Sequence, residues 1–130
     1  MTPSSVKAAL DTALSTITGL RVFDYVPDGL APPAAVIEPF EVEFDAAMQR
    51  GLDVYTAYVL VIVGRMSERT ASDRLDVYLA GSGAGSVKAA IDGTLGGAVA
   101  SARVTRAEPR TVVVSGIEML AYRYEVEIYG

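Results

Sequence analysis

The sequence predicts a single α+β domain, a mainly antiparallel β-sheet with about three helices packed on it. The chain has 130 residues, the length of one ordinary domain. With 51% hydrophobic and 21% charged residues, its composition is typical of a globular protein. Hydrophobic residues recur with the period of a helix in three segments. In several others they alternate with polar residues or form continuous runs, which is typical of strands. No repeat or linker divides the chain, so we assign residues 1–130 to one domain.

The N-terminal segment predicts an amphipathic helix of about four turns. Pro3 suits the first helical position, and Gly19 supplies a stop. The apolar residues that recur between them at helical spacing are Val6, Ala9, Leu10, Ala13, Leu14 and Ile17.

Strands are predicted over residues 20–26 and 34–39, joined by a connection rich in turn residues. Residues 40–45 alternate apolar with acidic side chains, which is compatible with a third strand. Residues 54–63 give the clearest strand, because β-branched and aromatic residues occupy both of its faces. A strand of this kind is covered on both sides. We expect helices on one face and another cover, such as a second subunit, on the other.

A second helix is predicted over residues 67–81, capped by Ser67 or Thr70 and ended by Gly81. Its buried stripe is expected to consist of Ala71, Leu75, Tyr78 and Leu79. A short third helix follows at 86–92. Ser86 caps it, and its inward-facing residues are expected to be Val87, Ala90 and Ile91.

The C-terminal part predicts β structure. Residues 97–116 contain two apolar-rich runs that meet around 107–110. Residues 117–129 alternate, as a half-buried strand does. One predicted face consists of Leu120, Tyr122, Tyr124, Val126 and Ile128, and the other of Arg123, Glu125, Glu127 and Tyr129.

The composition excludes several kinds of functional site. Without cysteine the chain can form neither a disulfide nor a thiolate–zinc site, and without histidine it lacks the commonest base near neutral pH. The net charge is −5, and the eleven cations are spread along the sequence, unlike those of a nucleic-acid-binding surface. We find no signal peptide and no apolar run of membrane-spanning length. We therefore expect no cofactor, no metal and no membrane contact.

The glycine-rich stretch at residues 81–97 places several glycines beside Lys88 at a predicted helix start. A phosphate-binding loop needs Gly-Lys-Ser/Thr at a fixed spacing and a strand before it. Here the spacing differs, and a helix is predicted before the loop. We interpret residues 81–85 as a flexible connector between helices. We interpret Leu95 as an apolar plug beside glycines that shape the path to the next strand.

Two sets of carboxylates share a strand face. Glu125 and Glu127 lie on one face of the last predicted strand, and Glu41, Glu43 and Asp45 lie on one face of an earlier strand. A half-buried strand normally turns its polar face to solvent. We interpret both sets in this way and assign no catalytic residue.

Several phrases of the sequence, taken in order, resemble one family. They are "FDYVPDGLAPPAAVIEP", "FDAAMQRGLD", "VGRMSERTASDRLDVYLAGSGAGSVKAAI" and "TLGG", followed by the alternating C-terminal strand. Together they resemble the tail terminator proteins of long-tailed (siphovirus-type) bacteriophages of GC-rich hosts. Nine arginines against two lysines, with no asparagine, are typical of a GC-rich gene.

The resemblance implies a structural protein of the virion, assembled in the bacterial cytoplasm, with no active site. Proteins of this family form a homo-oligomeric ring, usually a hexamer, at the neck end of the tail. The ring stops polymerisation of the tail tube protein and presents the docking surface for the head-to-tail connector or adaptor protein. DNA passes through its lumen without sequence-specific binding.

For contacts with partners we single out the segment 45–53, which lacks a clear period and lies between two predicted strands. The candidate ring or tube contacts are Asp45, Met48, Arg50 and Gly51. The resemblance leaves two related functions open, another head–tail junction ring (head closure or adaptor) and the tail tube subunit. From the residues alone, a small carboxylate-dependent enzyme or ligand-binding domain also stays open.

Overall fold

The computed structural model describes residues 2–23, 33–44, 53–65, 69–114 and 116–130. These residues form one sheet with three α-helices beside it, and the predicted α+β class is confirmed. The helices are α1 (Pro3–Leu14), α2 (Arg69–Leu79) and α3 (Val87–Ile91), with a 3-10 turn at Leu95–Gly97. The strands are β1 (Arg21–Phe23), β2 (Ala34–Ile37), β3 (Glu41–Glu43), β4 (Val54–Arg65), β5 (Ser101–Val114) and β6 (Ile117–Tyr129).

The strands lie in the order β1-β2-β4-β6-β5, and β3 pairs with the start of β4. β1 and β2 are parallel, and the other described pairs are antiparallel. Because β6 occupies one side of β4, β3 lies on the same side as β2. At this end the sheet therefore runs β3-β4-β6-β5, with β3 and β5 as its opposite edges.

Helix α1 begins as predicted and ends earlier. The Thr2 side chain accepts a hydrogen bond from the Ser5 backbone N–H at 3.2 Å, and a proline occupies the first turn. After Leu14 the chain continues as turns, in which the Ile17 N–H donates to the Leu14 carbonyl at 3.1 Å. The buried residues of this segment are Val6, Leu10, Leu14 and Ile17, as the helical period predicts.

The first strands are shorter than predicted. β1 covers three residues of the predicted 20–26, of which 24–26 lie outside the described residues. β2 ends at Ile37, and all four of its residues are buried. The third predicted strand is present as β3, where Val42 packs against the core and Glu41 and Glu43 are exposed.

The three helices pack on one face of the sheet and enclose the main core. β4 contributes Tyr55, Ala57, Val59, Val61 and Val63, and β6 contributes Tyr124, Val126 and Ile128. The predicted alternation of the last strand is confirmed, because Arg123, Glu125 and Glu127 lie on the opposite face. We call that opposite face the helix-free face.

Helix α2 corrects two predictions. Leu75 and Tyr78 are buried as expected, but Leu79 is 37% exposed because the helix ends there, beside a groove along β5. Thr70 lies inside the helix, so it is not the cap, and Ser67 lies outside the described residues.

Helix α3 begins as predicted. The Ser86 hydroxyl accepts a hydrogen bond from the Ala89 backbone N–H at 3.1 Å. Val87 and Ile91 are buried, and Ala90 packs partly against the core.

β5 is one continuous strand where the sequence predicted two runs. Pro109 lies within it, opposite Tyr122 of β6. β5 is an edge strand, and proline is tolerated there because its missing N–H faces away from the ladder. The strand is irregular between Val104 and Arg106, where a β-bulge shifts the register.

The helix-free face carries a second, smaller apolar cluster. Ile62, Met119 and Ala121 are buried there, with Leu60, Val112, Val114 and Ile117 packed around them. β4 is thus apolar on both faces, as predicted. The expectation that a second subunit covers this face stays a prediction.

Candidate functional site

The segment predicted to contact partners lies outside the described residues. Asp45, Met48, Arg50 and Gly51 all fall between Phe44 and residue 53, the described residues that flank the segment. The described residues on either side of the segment lie close together in the sheet, because Glu43 and Val54 are cross-strand partners. The assignment of these four residues to ring or tube contacts stays a prediction.

The register of the sheet arranges charged residues in rows across the helix-free face. One row runs from edge to edge through Glu41, Thr56, Glu127 and Arg103. The neighbouring rows contain Tyr58, Glu125 and Arg106, then Leu60, Arg123 and Glu108, then Ile62, Ala121 and Arg110. Charged side chains that are far apart in sequence therefore meet on this face.

The arginines of β5 pair with carboxylates of the same face. The Arg106 Nε donates to Glu125 Oε2 at 2.6 Å, and its Nη2 lies 2.9 Å from Glu108 Oε1. Glu108 also lies 3.4 Å from Arg110, and Glu127 lies 3.7 Å from Arg103. The interpretation of Glu125 and Glu127 as part of a polar outer face agrees with this geometry.

Arg123 connects three strands of the helix-free face. Its Nη2 donates to Glu38 Oε2 at 3.0 Å, just beyond the end of β2. Its guanidinium carbon lies 3.8 Å from the centroid of the Tyr58 ring on β4, within cation–π range. Its buried Nε has no hydrogen-bond partner among the described residues.

The two edges of the β3-β4-β6-β5 region differ in charge. At the β3 edge Glu41 and Glu43 are exposed, and neither forms an ion pair with a described residue. Phe44 follows them with 75% of its surface exposed. At the β5 edge the most exposed charges belong to Arg103, Arg106 and Arg110, whose side chains are 68%, 63% and 48% exposed, and Glu108 lies between the last two with 39% exposed.

This edge was not predicted from the sequence, because the cations are spread along the chain. A signal was present: three arginines occur between residues 103 and 110, close to the acidic alternation of the last strand. Their common face could not be recognised without the position of the bulge, which changes the alternation after Val104.

A groove of about 500 Å³ lies between β5 and the ends of α2 and α3. Leu79, Val104, Ala107 and Tyr124 give it an apolar side. The Tyr124 hydroxyl is buried and has no hydrogen-bond partner among the described residues. Burial, reinforced by the neighbouring Tyr122 and Tyr78, raises the pKa of Tyr124 far above its ordinary value.

The glycine-rich stretch has a packing role in the structure. Gly85 passes so close to α2 that an added Cβ would overlap the Val77 side chain. Beyond α3, Gly96 and Gly97 adopt positive φ angles of 68° and 92°, which glycine accepts without strain. Leu95 packs against the main core, in agreement with its interpretation as an apolar plug.

Lys88 is engaged within the chain. Its ammonium pairs with Asp92 Oδ2 at 2.5 Å, and Asp92 Oδ1 accepts a hydrogen bond from the Val104 backbone N–H at 2.9 Å. The start of α3 is occupied by the Ser86 hydroxyl. The lysine and the helix start thus hold α3 to β5, which supports the interpretation of this stretch as architecture.

No group of three or more acidic residues that could hold a metal occurs in the described part of the chain. Among the described residues, no helix has both the length and the apolar character needed to cross a bilayer. In comparisons with known proteins, no protein-family model matches the chain and no curated protein matches it significantly.

Proposed function

We propose that this chain is a structural subunit of a bacteriophage tail, of the tail terminator type, and that it works by forming a ring. In this proposal the homo-oligomeric ring, usually a hexamer in such proteins, sits on the neck end of the tail tube. It ends polymerisation of the tube protein and offers a docking surface to the head connector. The sequence phrases described above support this choice of family.

The observation that carries the ring proposal is the difference between the two edges of the sheet. A closed ring uses heterologous contacts, in which one patch of a subunit meets a different patch of its neighbour. β3 carries exposed acids at one edge, and β5 carries exposed arginines at the other. Two unlike surfaces at opposite edges of a single sheet suit such head-to-tail joining.

The pairing of charge among the arginines of β5 and β6 also suits passage of DNA. A surface binds the phosphate backbone when its cations release condensed counterions. Here Arg103, Arg106, Arg110 and Arg123 each lie within 4 Å of a carboxylate of the same chain. Each of these positive charges is thus already balanced by a nearby carboxylate, which weakens the attraction of these arginines for the phosphate backbone. In this proposal the pairing keeps the ring from holding the genome that moves through it.

Sedimentation and negative-stain imaging of the purified chain test the proposal, alone and after co-expression with the tail tube subunit from the same genome. We expect rings with a central hole, or single subunits that assemble into a ring at one end of each tube. Long filaments formed by the chain alone would identify it as the tube subunit instead. Subunits that form no ring and leave tube length unregulated would overturn the proposal.

A further inference from the structure

We propose that the acidic β3 edge of one copy docks on the β5 edge of the next copy, with Glu41 beside Arg103. This inference rests on the proposed ring function and names its subunit contact. The partner is a second copy of the same chain. The acidic surface consists of Glu41 and Glu43, and the basic surface of Arg103 and Arg106.

Charge complementarity is the first argument. Glu41 and Arg103 lie at opposite ends of one cross-strand row, through Thr56 and Glu127. Shifting a copy sideways by the width of the sheet therefore brings its acidic edge to the basic edge of its neighbour. Both edges carry their charges on the helix-free face, so the side chains meet on the same side of the joined sheets.

The arginines retain donors for such a contact. Arg103 is the most exposed of them, at 68%, and its nearest carboxylate, on Glu127, lies 3.7 Å away. Arg106 is 63% exposed, and only its Nε and Nη2 pair with carboxylates, those of Glu125 and Glu108. A guanidinium has five N–H donors, so each arginine can donate to a second carboxylate without releasing the first.

Strand direction agrees with the same contact. β3 and β6 both run antiparallel to β4, and β5 runs antiparallel to β6, so β3 and β5 run in opposite directions. Joined edges would continue the sheet in antiparallel fashion. Residues 92 and 93 already bond to the outer edge of β5 at Ala102 and Val104. Pro109 offers no N–H. Side chains, more than a long backbone ladder, therefore form the contact.

Charge reversal tests this contact. Glu41→Arg/Glu43→Arg makes both edges basic, and Arg103→Glu/Arg106→Glu makes both edges acidic. We expect each double variant alone to lower the self-association constant about tenfold or more, because close like charges replace opposite ones. An equimolar mixture should recover association, because each variant then supplies the charge that the other lacks. Sedimentation velocity measures all three samples.

The control variant is Asp73→Arg/Asp76→Arg. It changes the net charge by the same amount as Glu41→Arg/Glu43→Arg, but at exposed positions of α2. It should associate as the unchanged chain does. If both edge variants associate normally, or if the mixture does not recover, the contact is wrong, whereas rings of the unchanged chain would still uphold the proposed function. If the unchanged chain forms no ring, alone or on tubes, the proposed function fails.

Cross-linking covers the case of a chain that assembles on tubes alone. The sequence has no cysteine, so Glu43→Cys and Arg103→Cys each introduce a single thiol. Mixed on tubes with a short thiol–thiol cross-linker, the two variants should give covalent dimers that neither gives by itself. Dimers formed equally well by one variant alone would overturn the head-to-tail contact.

Discussion

Replacing Tyr124 by phenylalanine is expected to stabilise the protein. The Tyr124 ring lies in the main core, and its hydroxyl oxygen is buried with no hydrogen-bond partner among the described residues. In the unfolded chain that hydroxyl is hydrated, so folding removes its hydrogen bonds to water without replacing them. A buried polar group left in this state costs about 1–3 kcal/mol.

The substitution removes this cost and leaves a void smaller than a methyl group. A methyl-sized void in a core costs about 1 kcal/mol, so the void offsets only part of the gain. We expect the free energy of unfolding to rise by about 1 kcal/mol or more. For a domain of this size, that corresponds to a rise in Tm of roughly 4 °C.

Urea unfolding followed by circular dichroism measures the change, and the slope of the transition must stay constant for the comparison to hold. Tyr122→Phe is the matched control, because Tyr122 lies two residues away on the same face and is only partly buried. It should be nearly neutral. A loss of stability of about 1 kcal/mol or more in Tyr124→Phe would refute the reasoning, because it would mean that the hydroxyl has a stabilising partner.

Two further predictions concern the same core and the loop beside it. Because burial raises the folded pKa of Tyr124, the unfolded chain loses that proton first as pH rises. Stability should then fall above about pH 10, by up to about 1.4 kcal/mol per pH unit, with a shallower fall in Tyr124→Phe; equal slopes in urea titrations would contradict this. Gly85→Ala should destabilise by about 1–3 kcal/mol through overlap with Val77, and adding Val77→Ala should restore stability in a double-mutant cycle. No coupling between the two sites would argue against that contact.

The parts of the fold that depend on local pattern could be predicted from the sequence. The apolar period of α1, the Ser86 cap and the alternation of β6 each follow from neighbours within a few residues, and the structure confirms them. Leu79 is an exception. Its spacing matches the buried residues of α2, but burial also requires another element that packs on the side chain. The last turn of α2 lies beside the groove along β5, and Leu79 stays exposed there.

The charged edges could not be predicted, because they depend on long-range register. Pairing of Arg103 with Glu127 requires that β5 and β6 form a hairpin in one register, and a bulge then sets the position of Arg106. The local alternation of apolar and polar residues reveals neither the register of the hairpin nor the position of the bulge. The two predicted runs that meet around 107–110 form one strand that contains Pro109. Whether a strand tolerates proline depends on whether the strand is central or at an edge of the sheet. That property belongs to the sheet as a whole.

The dense ion pairing on the helix-free face is not explained by stability. Exposed ion pairs contribute about 0–1 kcal/mol each, and they order long side chains in return. Fixing the arginines of β5 over their own carboxylates does, however, hold their remaining donors at a defined edge of the sheet. A side chain already ordered in the free subunit loses less freedom when a neighbour binds. In the proposed contact, these ion pairs preorganise the β5 edge for the acidic surface of a second copy, and they add little folding energy.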